Sequence, residues 1–195
     1  MNLDSSYCIF QEYNENDINI IKWQLECKSV HIGSIIERCR HGFPFIILLN
    51  PKKMINGKEQ LNYEALSNLM WLTCPYLNDK IHIIESVGGI QRISEIILSD
   101  NLLTSKMEKA HANFYFLRSA IFHKFIGENI PQQRIDLFNT GIGGIRNISM
   151  LKCLHMHFSH FRICEDNIAG LLTFRLLEEK CSCDEVLCED ASKKG

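Results

Sequence analysis

Cysteine and histidine are concentrated in one short segment near the C-terminus, residues 149–160, which reads SMLKCLHMHFSH. Thiolate and imidazole are the side chains that hold zinc and iron in proteins. The apolar residues of the segment recur at helical spacing, which predicts an amphipathic helix over its whole length. At about 100° per residue, Cys153, His157 and His160 fall on one edge of the apolar stripe and His155 on the other. We therefore expect the first three to form one wall of a metal site.

The remaining ligands of such a site must come from elsewhere in the chain. Cys39 lies in the turn between two predicted strands, and Cys74 lies directly before Pro75, where a strand gives way to a helix. The positive end of a helix stabilises a thiolate, so Cys74 is a candidate nucleophile as well as a ligand, with His157 as its base. The alternative is that each cysteine is a small buried hydrophobic residue and each histidine a core residue satisfied by backbone carbonyls.

Glycine is frequent in TGIGGIRN, residues 140–147, immediately before this segment. Glycines in a turn allow backbone N–H groups to point together at an anion, and a nearby guanidinium adds a charge-assisted contact. The spacing is neither that of a dinucleotide-binding loop nor that of a Walker loop. A tight turn between helices, in which glycine permits close packing, explains the pattern equally well. The residues that would hold an anionic group are Arg38, Gly141, Gly143, Gly144 and Arg146.

The chain has nine cysteines, an odd number at irregular spacing, which favours metal ligation or catalysis over a disulfide framework. Three of them lie in the C-terminal CSCDEVLC as Cys181, Cys183 and Cys188. They could form an adventitious metal binder, belong to a flap that donates a ligand to the main site, or be exposed thiols. We expect residues 1–180 to form one domain and residues 181–195 a cysteine-containing tail.

Composition restricts the class of protein. With 195 residues, 46% hydrophobic residues and 23% charged residues, the chain is typical of one globular domain. The net charge of -2 supplies no long-range attraction for nucleic acid or anionic lipid. The N-terminus lacks the pattern of a secretory signal, and no apolar run is long enough to span a bilayer. We expect a cytoplasmic protein that binds neither nucleic acid nor a membrane.

Sequence patterns predict an α+β fold in which a small N-terminal antiparallel sheet packs on a mainly helical C-terminal half. A short helix through about Glu26 precedes two strands, SVHIGSIIERC and FPFIILLN, which are rich in β-branched and apolar residues. Asn56-Gly57 is the strongest turn signal, and a third strand is expected around residues 67–72. From Pro75 the spacing is helical, and further helices are expected at YLNDKIHIIESV, at ISEIIL, from Met107 to Gly127, over 131–138, over 149–161 and over 166–179.

Four motifs in a fixed order resemble an uncharacterised bacterial family known as domain of unknown function 501. They are R-C-x-x-G-x-P from Arg38, W-L-T-C-P from Trp71, G-I-G-G-I from Gly141 and K-C-L-H-x-H-x-x-H from Lys152. The resemblance extends from about Asn16 to Leu177 and does not include the CSCDEVLC extension. It implies no activity, but it supports the interpretation that the cysteines and histidines of these motifs belong to one constellation.

These observations lead to a working hypothesis of a metal-binding protein with a zinc ion or an iron–sulfur cluster. The predicted ligands are Cys39, Cys74, Cys153, His157 and His160. An open position on the metal would suit a hydrolase or a group-transfer enzyme that acts on an anionic small molecule. Two alternatives stay open: a non-catalytic module with a closed structural zinc that recruits a protein partner, and a metal-free cysteine/histidine enzyme.

Overall fold

The computed structural model describes residues 11–127, 139–147, 149–177 and 186–192. An antiparallel sheet of three strands is formed by β1 (Ile32–Arg38), β2 (Pro44–Leu49) and β5 (Met70–Leu72), in the order β1-β2-β5. The central strand β2 is buried along its whole length, which explains its continuous apolar sequence. The two N-terminal strands and the short third strand confirm the prediction from β-branched residues and turn signals.

A separate hairpin follows the second strand. Strands β3 (Lys52–Ile55) and β4 (Lys58–Leu61) pair antiparallel around Asn56 and Gly57, which both have positive φ. Two successive residues of that conformation make the turn that matches the twist of a hairpin. Helix α2 (Tyr63–Ser67) then leads the chain back to the sheet.

Helices make up most of the remaining chain. Helix α1 (Glu15–Gln24) begins after Asn14, which shares a capping box with Asp17, and ends two residues before the predicted Glu26. The others are α3 (Pro75–Ser86), α4 (Gly89–Leu98), α5 (Asn101–Ile126), α6 (Leu154–Phe161), α7 (Ile168–Leu176) and α8 (Glu189–Ser192). The fold class is therefore α+β, as predicted. Within the described ranges, no helix combines the length and apolar character needed to cross a lipid bilayer.

The main hydrophobic core lies between the sheet and the helical half. Helix α6 packs on β5 and on α7, and α5 supplies a long buried face that includes Phe114 and Phe122. The approach of α6 and α7 depends on Gly170, since a Cβ at this position would lie 2.2 Å from the carbonyl oxygen of His157. This packing fixes the position of the histidine-bearing helix.

Two predicted features concern the C-terminal region and the segment after α5. The helix predicted over 131–138, as well as Cys181 and Cys183, lies outside the described residues. Cys188 is buried, accepts a hydrogen bond at 3.2 Å from the side-chain amide of Gln24, and lies beside α8, which packs on α1. Of the three roles considered for the tail thiols, that of an exposed thiol is wrong for Cys188, because this residue is buried.

Candidate functional site

The histidine-bearing helix begins later than the sequence pattern predicts. Cys153 is the N-cap of α6 and has an extended backbone, with φ −129° and ψ 125°. The helical wheel that aligned Cys153 with His157 and His160 is therefore wrong, because Cys153 does not belong to the helix. Its sulfur lies instead 3.3 Å from Nδ1 of His155, the histidine that the wheel placed on the opposite edge.

Three side chains with metal-binding atoms come together at this helix start. Glu85, Cys153 and His155 each offer one ligand atom, and these atoms lie within 4.8 Å of one another. Besides the sulfur–nitrogen contact, Nδ1 of His155 is 3.4 Å from Oε1 of Glu85. The imidazole and the carboxylate are about one-fifth exposed, at 22% and 19%. The cluster is thus desolvated and still open to solvent on one side.

Helix α3 orients the imidazole of His155. Nε2 of His155 lies 3.1 Å from the carbonyl oxygen of Asn78. Since a carbonyl oxygen only accepts hydrogen bonds, Nε2 carries the proton and donates it. The lone pair of the neutral ring is then on Nδ1 and faces Cys153 and Glu85. A second hydrogen bond of this kind is how proteins fix the tautomer of a metal-binding histidine.

The same helix supplies the carboxylate. Oε1 of Glu85 accepts the backbone N–H of Leu154 at 2.6 Å. The Cys153 side chain makes no capping hydrogen bond, so Glu85 performs the capping role from a distant part of the chain. A carboxylate at a helix N-terminus is also favoured by the helix dipole. Glu85 therefore joins α3 to α6 and places its oxygen beside His155.

The surroundings of Cys153 favour its neutral form in the absence of a cation. Burial is the main cause that raises the pKa of the Cys153 thiol, and the nearby Glu85 carboxylate acts in the same direction, whereas hydrogen bonds from the backbone of Met156 and His155 oppose it. Cys153 therefore presents a thiol, rather than a thiolate, to Nδ1 of His155.

His157 and His160 point into the core, on the other side of α6. Both are fully buried, and burial is the main cause that lowers the pKa of each to about 3. His160 uses both ring nitrogens, at 3.1 Å from Asn113 Oδ1 and 3.1 Å from Asn167 Nδ2. Nδ1 of His157 lies 3.3 Å from Asn167 Oδ1. These two histidines are core residues whose hydrogen bonds go to asparagine side chains rather than to backbone carbonyls.

The two other predicted cysteines lie in the places expected from the sequence. Cys39 is in the β1–β2 turn, where its N–H donates to the carbonyl of Phe43 and its carbonyl accepts from Gly42. Cys74 directly precedes α3, with Pro75 in the first turn. Within the described part of the chain, neither cysteine shares a group of three ligand atoms with Cys153, so the predicted five-residue centre is not assembled in this structure.

The predicted anion-binding residues have other contacts. Arg38 forms a two-pronged ion pair with Asp17, with N–O distances of 2.7 and 2.9 Å. In the glycine segment, which forms a 3₁₀ turn over Ile142–Gly144, the N–H of Gly141 donates to Ile145 and that of Gly144 to Gly141. Gly141 also packs tightly, since a Cβ there would lie 2.4 Å from Nδ1 of His111. Close packing thus explains Gly141, and positive φ explains Gly143 and Gly144; Arg146 is exposed beside them.

Comparison with known proteins identifies the family. The family model described as a protein of unknown function, DUF501, matches residues 35–175. The chain belongs to this family. No curated protein and no solved structure matches the chain. The match includes all three cluster residues, although two of them, Glu85 and His155, were not among the predicted ligands. The C-x-H spacing of Cys153 and His155 in the last family motif is the signal that could have found one of them.

Proposed function

We propose that this DUF501 protein is a cytoplasmic metalloprotein that binds one zinc ion through Glu85, Cys153 and His155. The observation that carries the proposal is the separation of the ligand atoms. Atoms bonded to zinc at about 2.0 to 2.3 Å lie about 3.3 to 3.6 Å apart in a tetrahedral arrangement. The sulfur–nitrogen and nitrogen–oxygen distances of 3.3 and 3.4 Å agree with this spacing.

The chemistry of the three ligands favours zinc over an iron–sulfur cluster. Clusters are held mainly by cysteine thiolates, and this group contains one cysteine. Zinc accepts sulfur, imidazole nitrogen and carboxylate oxygen together. The hydrogen bond from His155 to the carbonyl of Asn78 supplies the support that a zinc-bound imidazole requires.

A three-ligand site leaves one coordination position for water or a substrate. The group contains no fourth cysteine, histidine or carboxylate from the described ranges, which favours an open site over a closed structural zinc. Zinc at such a site lowers the pKa of bound water or polarises a carbonyl or phosphoryl oxygen. We therefore propose a hydrolase or group-transfer enzyme. The substrate class that we propose is the anionic small molecule of the sequence-based hypothesis.

The test is the metal content of protein purified without oxygen or chelators, followed by replacement of the metal with Co²⁺. We expect about one zinc per chain, and the absorption of a four-coordinate cobalt thiolate. Cys153→Ser and His155→Gln should each lower zinc content strongly, and Glu85→Gln should lower it less, because the amide oxygen is a weaker ligand.

Two variants serve as matched controls. Cys164 is another partly buried cysteine in the same helical half, and burial raises its pKa as well. His82 is an exposed histidine of α3. Cys164→Ser and His82→Gln should keep the zinc content of the wild type. Equal zinc content in all five variants, or none in the wild type, would refute the proposal.

One observation favours a second candidate, a metal-free cysteine enzyme. Cys153, His155 and the carbonyl of Asn78 form a nucleophile, a base and a group that orients the base, at 3.3 and 3.1 Å. The raised pKa of Cys153 opposes this activity, since the thiolate is the nucleophile. Alkylation by iodoacetamide distinguishes the two: the enzyme predicts rapid reaction of Cys153 in chelator-treated protein, and the zinc site predicts slow reaction that metal slows further.

A further inference from the structure

A chain of buried polar side chains crosses the core beneath α6, separate from the zinc site proposed above. It contains three histidines, His111 from α5 and His157 and His160 from α6, together with Asn113 and Asn167. Each histidine is at most 4% exposed, and Asn113 lies partly at the surface. The hydrogen bonds of this chain determine which nitrogen of each ring carries a proton.

The first tautomer follows from a backbone group. The N–H of Ile142 donates to Nδ1 of His111 at 3.1 Å. A nitrogen that accepts a hydrogen bond has no proton of its own, so the ring is neutral and its proton is on Nε2. The amide N–H cannot reverse its role, and the tautomer of His111 is therefore fixed.

The other tautomers follow from a second backbone group. The N–H of Gly170 donates to Oδ1 of Asn167 at 3.0 Å, which fixes the orientation of the Asn167 side chain. Oδ1 therefore also accepts from Nδ1 of His157, and Nδ2 donates to Nδ1 of His160. It follows that the neutral His157 ring has its lone pair on Nε2, and that His160 donates from Nε2 to Asn113.

All these hydrogen bonds run in one direction, from Ile142 towards Asn113, with one interruption. Nε2 of His111 and Nε2 of His157 are buried, and neither has a hydrogen-bond partner among the residues that the structure describes. The first is a donor and the second an acceptor. The two rings are nearly perpendicular, with centroids 6.2 Å apart. The two unpaired atoms thus belong to neighbouring rings, and one oxygen atom that bonds to each at about 2.9 Å would join nitrogens up to about 5.8 Å apart.

We infer that one internal water molecule binds between Nε2 of His111 and Nε2 of His157 and completes a one-directional hydrogen-bond chain through the core. The water accepts from His111 and donates to His157, so it serves two groups whose burial without partners is costly. A metal ion does not suit this position, because a cation needs a lone pair and Nε2 of His111 carries a proton. The ligand class is therefore a neutral molecule that both accepts and donates hydrogen bonds through one atom, and water is the simplest such molecule.

The experiment is NMR of ¹⁵N-histidine-labelled wild-type protein. We expect the Nε2–H tautomer for His111 and His160, the Nδ1–H tautomer for His157, and a slowly exchanging His111 Nε2 proton with a cross-peak to a long-lived water. His82, exposed in the same molecule, is the internal control and should show averaged tautomers without such a cross-peak. A proton on Nδ1 of His111, or a His111 Nε2 proton with no water cross-peak, would overturn the inference.

A second measurement separates this water from a metal and from the zinc proposal. In Cys153→Ser protein, the tautomers and the water cross-peak should be unchanged, since the hydrogen-bonded histidines and asparagines lie on the other side of α6. In His111→Gln protein, the cross-peak should be lost and the zinc content should stay at the wild-type value. Metal that persists in Cys153→Ser and disappears in His111→Gln would show a cation between the two histidines and refute the bound water.

Discussion

The stability of this protein should begin to fall at a pH well above the range in which carboxylates titrate, because its core histidines are held neutral. Burial lowers the pKa of His111 to about 4, and burial followed by the neighbouring histidines lowers that of His160 to about 3. Both values are below the 6.5 of an unfolded chain. Below that value the unfolded state binds protons that the folded state does not, so stability is complete above it and is lost as the pH falls. These two residues lie outside the proposed zinc site.

The magnitude follows from the linkage between protonation and folding. At about pH 5, each histidine that stays neutral lowers the free energy of unfolding by about 2 kcal/mol relative to pH 7. This value follows from about 1.36 kcal/mol for each pH unit below the pKa of the unfolded state. His111 and His160 together should therefore remove about 4 kcal/mol, a large share of the roughly 5 to 15 kcal/mol of a typical domain. The pKa of Asp17 is lowered chiefly by its hydrogen bond with Arg38, so this residue affects the pH dependence of stability only as the pH approaches 3.8. The interval between pH 5 and 7 thus isolates the histidines.

The assay is urea unfolding of the metal-free protein near pH 7 and near pH 5, followed by tryptophan fluorescence. His111→Gln and His160→Gln should each reduce the difference between the two free energies of unfolding by about 2 kcal/mol. Because each variant is compared with itself at two pH values, a general loss of stability does not affect the result. His82→Gln, at an exposed position, should leave the difference unchanged. Equal pH dependence in all three variants would refute the reasoning.

Three further experiments test the packing and the contacts around α6. Gly170→Ala should lower the free energy of unfolding by about 3 kcal/mol or more, because its Cβ would lie 2.2 Å from the carbonyl oxygen of His157; thermal unfolding measures this, and an unchanged midpoint would contradict the close approach. Glu85→Gln should destabilise the metal-free protein by about 1 kcal/mol through its weaker helix cap, as urea unfolding would show. A double-mutant cycle of Arg162 and Glu37, whose closest N–O distance is 2.6 Å and which are about 30% exposed, should give a coupling of about 1 kcal/mol, and additive effects would refute it.

The sheet was predictable because its signals are local. Strand β2 is an unbroken apolar run that ends at Asn50-Pro51, and Asn56-Gly57 has few alternatives to a hairpin turn. The third strand is shorter than expected, since residues 63–67 form a helix before it. Local patterns of this kind do not depend on what the rest of the chain does, so the sequence alone was sufficient.

The start of α6 could not be predicted in the same way. The group that caps it, the carboxylate of Glu85, is 69 residues away from Leu154 in the sequence. Without that contact, the apolar spacing from residue 149 favours a helix that includes Cys153. The early helix start also gave the wrong set of ligands. A cysteine on the helix aligns with His157 and His160, and this alignment leaves His155 out of the predicted site. Glu85 has no sequence signal that distinguishes it from an ordinary surface carboxylate.

The segment K-C-L-H-x-H-x-x-H, residues 152–160, therefore combines residues that lie on two sides of one helix. His155 and His157 are two positions apart, which separates them by about 200° around α6. The first faces Cys153 and Glu85 near solvent, and the second faces Asn167 in the core. A single centre could not use both rings without unwinding the helix. The histidines of this segment thus lie in two separate environments, and a substitution that removes the proposed zinc without changing the tautomers of His157 and His160 would separate the two roles that we propose for them.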